Sequence, residues 1–290
     1  MKIGIVASAT GWHVSALQAA LEARGISAPR IPITRLLAQV GARPRVRYGN
    51  EPLDEYAALL IRGIPTGSLE QVIFRVDALH RLENLGVKVF NPAVAIERTV
   101  DKFYTSALLE DAGLPTPRTV VTEQFEEAMQ AFVDLGGDVV VKPLFGSEGV
   151  GMVRVDNPDL AHRIFRTLEL GRYVYYLQEY IPHDNWDIRV LVIGDRVAAA
   201  MRRTGGGWKT NVAQGARTQA LRLSEEMERM SLQAARLVAA GYAGVDLLCT
   251  AGGRCYVLEV NGIPGWRGLQ STTELNIAGM IVDHMLGELT

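Results

Sequence analysis

The sequence predicts an α/β fold built on a parallel sheet in its first third, followed by two α+β units built on antiparallel sheets. Three observations carry this. Between residues 2 and 92, short apolar runs alternate with amphipathic stretches of helix length, the pattern of strands joined by crossover helices. Between residues 118 and 170, strands and helices surround a glycine loop. From Tyr173 onward, apolar runs come in pairs joined by short turns, the pattern of hairpins. The expected units are 1–95, 96–175 and 176–290.

In chain order, KIGIVAS is a first strand, and Val14–Arg24 is a helix closed by Gly25. AALLIRG, Ala57–Gly63, is a buried strand. Ser68 then caps a helix running to Leu85 and ended by Gly86, and VKVFN is the next strand. A short helix follows over Asp101–Asp111, and LPTPRT is a linker into the second unit. That unit comprises strand Arg118–Val121, helix Glu123–Leu135, strand Val139–Lys142, the glycine loop, strand Val150–Val155 and helix Pro158–Leu170. YVYYLQEYI is a strand, and DIRVLVIGDRVAAAMRR is a hairpin turning at Gly194-Asp195. Helix Glu225–Ala240, a second hairpin from Ala243 to Asn261 and helix Asn276–Leu289 complete the chain.

The bulk numbers exclude little but are consistent. Of 290 residues, 48% are apolar and 21% charged, with a net charge of −2, which gives no general reason to expect a nucleic-acid or membrane partner. MKIGIVASA imitates a signal peptide, but its apolar run is too short, and a first strand is the better reading. The two cysteines, Cys249 and Cys255, fit a reducing cytoplasm, and core packing is expected of them in preference to a disulfide or a metal site. GIVASATG matches neither the dinucleotide-binding nor the P-loop signature.

The second hairpin, GVDLLCTAGGRCYVLEVN, carries the chemistry. If its loop is Ala251–Arg254, Thr250 pairs with Cys255, Asp246 lies opposite Glu259 on one face, and Asn261 is one step further along that face. Opposed carboxylates repel, and a hard divalent cation with three oxygen ligands would relieve them. The bland alternative is two exposed acids on an edge. A three-residue loop would move Asp246 to the other face unless a bulge restored the register. VVVKPLFGSEGVGMV places Lys142 at a strand end before Gly146, Gly149 and Gly151. Such glycines let a backbone approach phosphates, and the lysine can meet them as a point charge. A glycine-rich turn with a snorkelling lysine reads equally well in isolation.

Taken together, the ordered blocks NP, DK, GLPTPRT, VVVKPLFGSEGVGMV, QEYI, DIRVLVIGDRVAAAMRR, TNVAQGA, GVDLL and LEVNGIPGW resemble the ATP-grasp superfamily, in its RimK-like branch of α-L-glutamate and related amino-acid ligases. The resemblance runs from about Asn91 to the C-terminus and more loosely through the first unit. It implies an N-terminal α/β (pre-ATP-grasp) domain and two α+β subdomains gripping ATP. Lys102 and Lys142 match the two ATP lysines. Gly146, Ser147, Gly149 and Gly151 match the loop over the phosphates. Gln178, Glu179, Tyr180 and Ile181 match the strand against adenine, with Glu179 and the backbone of Tyr180 and Ile181 on the base edge. Asp187 matches an acid near the ribose, and Lys209 and Asn211 stand in the block beside the phosphates, with lysine where the family usually has arginine. Asp246, Glu259 and Asn261 match the ligands of Mg²⁺ or Mn²⁺, often two ions with the glutamate bridging. Arg203 matches the arginine that steadies the transferring phosphoryl group, and Arg189 is a weaker candidate for a substrate carboxylate. Gly265 would aim its N–H at an oxyanion, and Arg62 is a candidate acceptor contact, with a solvated strand-end arginine as the plainer reading.

The chemistry implied is ligation of a carboxylate to an amine through an acyl phosphate, most simply adding L-glutamate to a small pterin- or furan-type cofactor, as in ligases of the tetrahydromethanopterin:glutamate kind. Two rivals stand beside it: an amino-acid ligase acting on a carrier protein or a protein C-terminus, and a non-catalytic ATP-binding protein. No H-R-D or D-F-G motif supports a kinase. A cytoplasmic homo-oligomer is expected.

Overall fold

The structure is a computed structural model that describes residues 1–146, 149–212 and 215–289. The first sheet orders its strands Arg30–Ile31, Ile3–Val6, Ala58–Ile61 and Lys88–Phe90, all parallel. The strands Ile3–Val6 and Ala58–Ile61 are buried along their whole length, as parallel strands covered on both faces must be. Helix Trp12–Glu22 follows the first strand. Helix Leu69–Asn84 follows the strand Ala58–Ile61, and its start is fixed by a capping box: the Ser68 hydroxyl accepts from Gln71 N–H while the Gln71 side chain accepts from Ser68 N–H. A three-stranded antiparallel sheet, Leu36–Ala38, Val46–Tyr48 and Glu51–Pro52, sits in the crossover; the sequence pattern gave no sign of strands so short. The helix expected at Asp101–Asp111 is preceded by a second one, Ala93–Val100, and Asp101 joins them, closing the first and capping the second through bonds from Phe103 and Tyr104 N–H to its carboxylate.

The second sheet, ordered Val153–Val155, Val139–Lys142, Tyr175–Glu179 and Thr119–Thr122, is antiparallel throughout. Helices Phe125–Asp134 and Pro158–Leu170 cover it with Phe125, Ala128, Phe132, Ala161 and Phe165. The third sheet runs Arg217–Ala220, Arg196–Thr204, Trp186–Ile193, Tyr242–Cys249 and Cys255–Asn261. Helix Glu225–Leu237 packs on one face. The other face shares a core with the first sheet, in which Leu191, Tyr242 and Trp266 meet Ile3, Leu17 and Phe90, together with Ile277, Ile281 and Met285 of the last helix, Ile277–Gly287. Among the described residues no helix is long and apolar enough to cross a membrane.

Two bulges set the registers that matter. In the Cys249/Cys255 hairpin, Cys249 lies opposite Cys255, and Thr250 N–H donates to Arg254 O at 2.9 Å, so the turn is tighter than the four-residue loop expected. A shift between Asp246 and Leu247 then restores Asp246 to a position opposite Glu259. The same tight turn corrects the expectation for the cysteines. Directly opposed, with Cα atoms 4.0 Å apart, Cys249 and Cys255 form a disulfide instead of simply packing in the core. In the preceding hairpin, a shift between Leu191 and Val192 places Asp187 opposite Arg203.

Candidate active site

The second and third sheets face each other across a cleft of about 860 Å³, counting its open mouth. Its walls bring together Lys102, Lys142, Gly146, Gly149, Gln178, Glu179, Tyr180, Ile181, Asp187, Arg203, Lys209, Asn211, Asp246 and Glu259 of the residues expected from sequence. Ser147 lies outside the described residues. Gly151, Arg189, Asn261, Gly265 and Arg62 are not on the cleft wall.

The floor is an alternating ladder of buried charge made by direct cross-strand pairs. Arg189 lies opposite Asp246 and Asp187 opposite Arg203. Arg189 donates from Nε to Asp246 Oδ1 and from Nη2 to Oδ2 at 2.9 Å. Arg203 Nη2 reaches the same Oδ2 at 3.0 Å. Arg203 also grips Asp187 with Nε at 2.7 Å and Nη2 at 2.6 Å, and the Thr210 hydroxyl donates to Asp187 at 2.6 Å. Burial opposes ionisation of Asp246, but Arg189 and Arg203 overcome it and hold its carboxyl below the usual range. Burial likewise works against the Arg203 charge, and the carboxylates of Asp246 and Asp187 more than restore it.

Two expected residues are engaged by the protein itself. Asp187 lines the cleft but is 4% exposed, with its oxygens bonded to Arg203 and Thr210. The Arg189 fork is likewise bonded to Asp246.

Glu259 differs from its neighbours. Its carboxylate makes no hydrogen bond or ion pair with the described residues. Burial and the Asp246 charge push its pKa up, against the pull of Lys102, Arg189 and Lys142. Two residues along the strand, opposite Gly244, the Asn261 amide nitrogen is buried without a partner among the described residues. Among those residues no group of three or more His, Cys, Asp or Glu side chains is poised for a metal. The donors therefore come down to the partnerless Glu259 carboxylate, the Asn261 amide oxygen and what the arginines leave of Asp246. A carboxylate offers about four lone-pair sites, of which three are taken on Asp246. An oxygen-rich divalent cation fits this set, with Glu259 as its main ligand.

Three lysines surround the carboxylates. Lys142 Nζ donates to Gln178 Oε1 at 2.6 Å, and burial pushes its pKa down to about 8 despite the nearby Glu259. Lys102 is also lowered by burial; its ammonium donates to Gly146 O at 2.7 Å. Lys209, standing where an arginine was expected, donates to Met152 O at 2.7 Å. Lys102 and Lys209 thus tie down the two arms of the glycine loop. Within that loop Gly146 and Gly151 hold φ of +146° and +77°, and a Cβ on either would sit 3.4 Å from the Pro143 ring.

At the other end of the cleft, Glu179 spends its carboxylate on Arg118, accepting from its N–H at 2.9 Å and its Nε at 2.7 Å. Tyr180 N–H donates to Asp138 O at 3.0 Å. Of the groups expected at a base edge, the Glu179 carboxylate and the Tyr180 N–H are engaged within the protein, while the Tyr180 carbonyl and the Ile181 N–H have no partner among the described residues. His183, which sequence reasoning missed, faces two carbonyls, with Nδ1 2.8 Å from Ile181 O and Nε2 3.1 Å from Trp208 O. It joins the Ile181 segment to the loop carrying Lys209 and Asn211. No motif marked it, because its partners are backbone carbonyls, one of them 25 residues away.

Beyond the cleft, Gly262–Trp266 leads from the strand Cys255–Asn261 toward the first sheet. The Gly265 N–H has no acceptor among the described residues, and a Cβ there would lie 3.6 Å from the His13 ring. Arg62 is not the solvated strand-end residue of the plainer reading. It lies 4.5 Å over the Trp266 ring and donates to Tyr242 OH at 3.0 Å, with its Nε buried and unpartnered. Asn91 of the NP block is fully buried; it donates to Tyr242 O and Gly262 O and accepts from Tyr242 N–H, anchoring both ends of this region.

Comparison with known proteins agrees with the geometry. A family model described as a RimK-like ATP-grasp domain matches residues 99–285. The chain is 33% identical over 291 residues to a tetrahydromethanopterin:alpha-L-glutamate ligase of Methanococcus maripaludis, covering 99% of this chain and 98% of that one. It is 34% identical over 293 residues to the ligase of the same name from Methanocaldococcus jannaschii, again covering 99% and 98%. Among solved structures, the ATP-grasp ligase PsnB complexed with a minimal precursor, Mg and ADP superposes with a TM-score of 0.76 at 25% identity, over 99% of this chain and 98% of that chain. A RimK domain protein from Sphaerobacter thermophilus superposes with a TM-score of 0.80 at 23% identity, over 99% and 100% of the two chains, which speaks for the fold.

Proposed function

The chain belongs to the RimK-like ATP-grasp family and is an ATP-dependent ligase, and from that premise we propose that it joins L-glutamate to the carboxylate of a small pterin-type acceptor through an acyl phosphate. The observation that carries the reading is the Glu259 carboxylate, half-buried on the cleft wall without a protein partner among the described residues, opposite Asp246 and near Lys102 and Lys142. A partly desolvated carboxylate facing a second one is disfavoured in its charged form unless a cation completes it. Two relatives sharing a third of their residues over the whole chain are named as ligases of glutamate and tetrahydromethanopterin, which favours that acceptor class.

In this reading the acceptor carboxylate attacks the γ-phosphorus of ATP, and ADP leaves. The glutamate amine then attacks the acyl carbon and loses a proton, phosphate departs with the C–O bond, and an amide remains. Glu259, with Asn261 and the free lone pair of Asp246, would hold Mg²⁺ or Mn²⁺, which would neutralise charge at the phosphates. The chain does the rest. Lys142 and Lys102 exchange their present oxygen acceptors for phosphate oxygens. Arg203, held rigid by Asp187, offers its remaining N–H groups to the transferring phosphoryl. The loop around Gly146 and Gly149 excludes water from the acyl phosphate. Gly265 N–H meets the tetrahedral oxyanion. The protein need supply only alignment and charge, without a covalent nucleophile.

The test is ADP release from the purified chain with Mg²⁺, an amino acid and an acceptor, followed by mass spectrometry. The expected result is ADP formation that requires all three and a product heavier by one glutamyl residue. Release that ignores the amino acid, or a product built on a peptide C-terminus in place of a pterin acid, would overturn the assignment.

A further inference from the structure

The mechanism leaves a half-buried imidazole unused. His13, near the start of helix Trp12–Glu22, belongs to the first sheet's layer, yet its ring is wedged against the turn that follows the Glu259 strand. It stands edge-on to Trp12 at 5.1 Å and to Trp266 at 4.6 Å between ring centroids. Its Nε2 accepts from Trp266 N–H at 2.9 Å and from Arg267 N–H at 3.3 Å. These are the N-cap and first residues of the short helix Arg267–Gln270, and Trp266 makes no side-chain cap of its own. His13 therefore caps that helix from a distant part of the chain, satisfying N–H groups that a helix start leaves open. An imidazolium has no lone pair to accept with. The charged groups facing the ring, Arg62 and Arg267, are both cations and, after burial itself, push its pKa down to about 4.

We propose that His13 is a positioning residue for ligation: its neutral Nε2 pins the turn Gly262–Trp266 and thereby fixes the direction in which Gly265 presents its N–H. The role rests on the reading of Gly265 given above. It also explains why a helix of the first layer reaches the reacting end of the third sheet, since rotation of that helix would move the turn with it.

Two substitutions separate the acceptor atom from the bulk of the ring. H13F keeps an aromatic wedge between Trp12 and Trp266 without a lone pair, and H13Q can place an amide oxygen near the position of Nε2. H13F is expected to lower kcat by about 10- to 100-fold, less than the roughly 10²- to 10³-fold cost of removing an oxyanion donor, because the Gly265 N–H is misdirected and not lost. The KM for ATP should stay within about threefold, and amide hydrogen exchange over residues 262–267 should accelerate. H13Q is expected to keep kcat within about fivefold and to restore slow exchange. A third variant, H13G, should regain turnover when free imidazole is supplied. Wild-type turnover in H13F, or an H13Q that melts like the wild type but is as slow as H13F with no imidazole rescue of H13G, overturns the proposal. If the wild-type chain ligates no substrate pair, the functional reading falls by itself, and unchanged exchange at residues 262–267 in H13F then sinks the clasp independently.

Discussion

Replacing Lys142 with methionine should make the protein more stable and nearly inactive. The Lys142 ammonium is desolvated at the cleft floor, and its pKa falls from the ordinary 10.5 to about 8. Holding it charged costs the folded state about 3 kcal/mol. Methionine removes that cost, keeps most of the stem's packing, and leaves Gln178 Oε1 without its 2.6 Å donor, a loss of about 1 kcal/mol. The net expectation at pH 7 is about 2 kcal/mol of added stability, or a Tm higher by about 4 °C. The pH dependence fixes the sign. Between pH 8 and 10.5 the unfolded chain holds a proton on this lysine that the folded chain lacks, so raising the pH through this window stabilises the wild-type fold. The advantage of K142M should therefore be full below pH 8 and gone above pH 10.5. Loss of a charged hydrogen bond to phosphate should raise the KM for ATP by about 10- to 100-fold. Thermal melts at pH 7 and pH 10.5, paired with ADP-release kinetics at pH 7, measure both. A K142M protein that melts lower at pH 7, or that keeps a wild-type KM, would show that the lysine is not the strained phosphate ligand described.

Glu259→Gln should reduce Mg²⁺-dependent turnover by more than about a hundredfold, since even outer residues of metal sites cost 10- to 100-fold; titration calorimetry should find Mg²⁺ binding lost. Because the Glu259 pKa is raised above its ordinary 4.5, wild-type Mg²⁺ affinity should decline on acidification at a pH above 4.5, a limb absent from E259Q. Arg203→Ala leaves Asp187 and Asp246 buried without this shared partner, and urea unfolding should register a loss of about 3–5 kcal/mol. Reduction of the Cys249–Cys255 disulfide, which closes a sequence separation of 6, should cost about 2 kcal/mol in the same assay, with a mass gain of two hydrogens. An unchanged mass after reductant would refute the bond itself.

The opposition of Asp246 and Glu259 was reached from the sequence through a four-residue loop, whereas in the structure a tighter turn and the shift between Asp246 and Leu247 offset each other to produce the same pairing. The disulfide was not reached, and the reason is a single residue of register. Counting from a four-residue loop leaves Cys249 beside Cys255 but one step out of line, whereas the tight turn sets them face to face. The Asp187–Arg203 pair was hidden in the same way. Counting from the turn at Gly194-Asp195 aligns Asp187 with Arg202, and only the shift between Leu191 and Val192 brings Arg203 into place. Bulges are invisible to period-two reasoning because they consist of one irregular residue. The parts that depend on separate layers meeting, such as His13 against Trp266 and Asn91 against Tyr242, leave no local pattern at all. The order of the larger elements, by contrast, followed from hydrophobic alternation and glycine punctuation; what was missed were strands of two to four residues, two 3-10 turns and the helices Ala93–Val100 and Arg267–Gln270.

The irregularity at Leu258 has a yield of its own. A regular strand would turn Leu258 and Glu259 to opposite sides, yet both border the nucleotide cleft, next to Leu248 and Asp246 across the hairpin. The ladder thus donates one side chain more to the cavity than its length allows, and that surplus residue is greasy. An apolar side chain and a carboxylate thus enter the cavity from consecutive positions, which a regular strand would have sent to opposite faces.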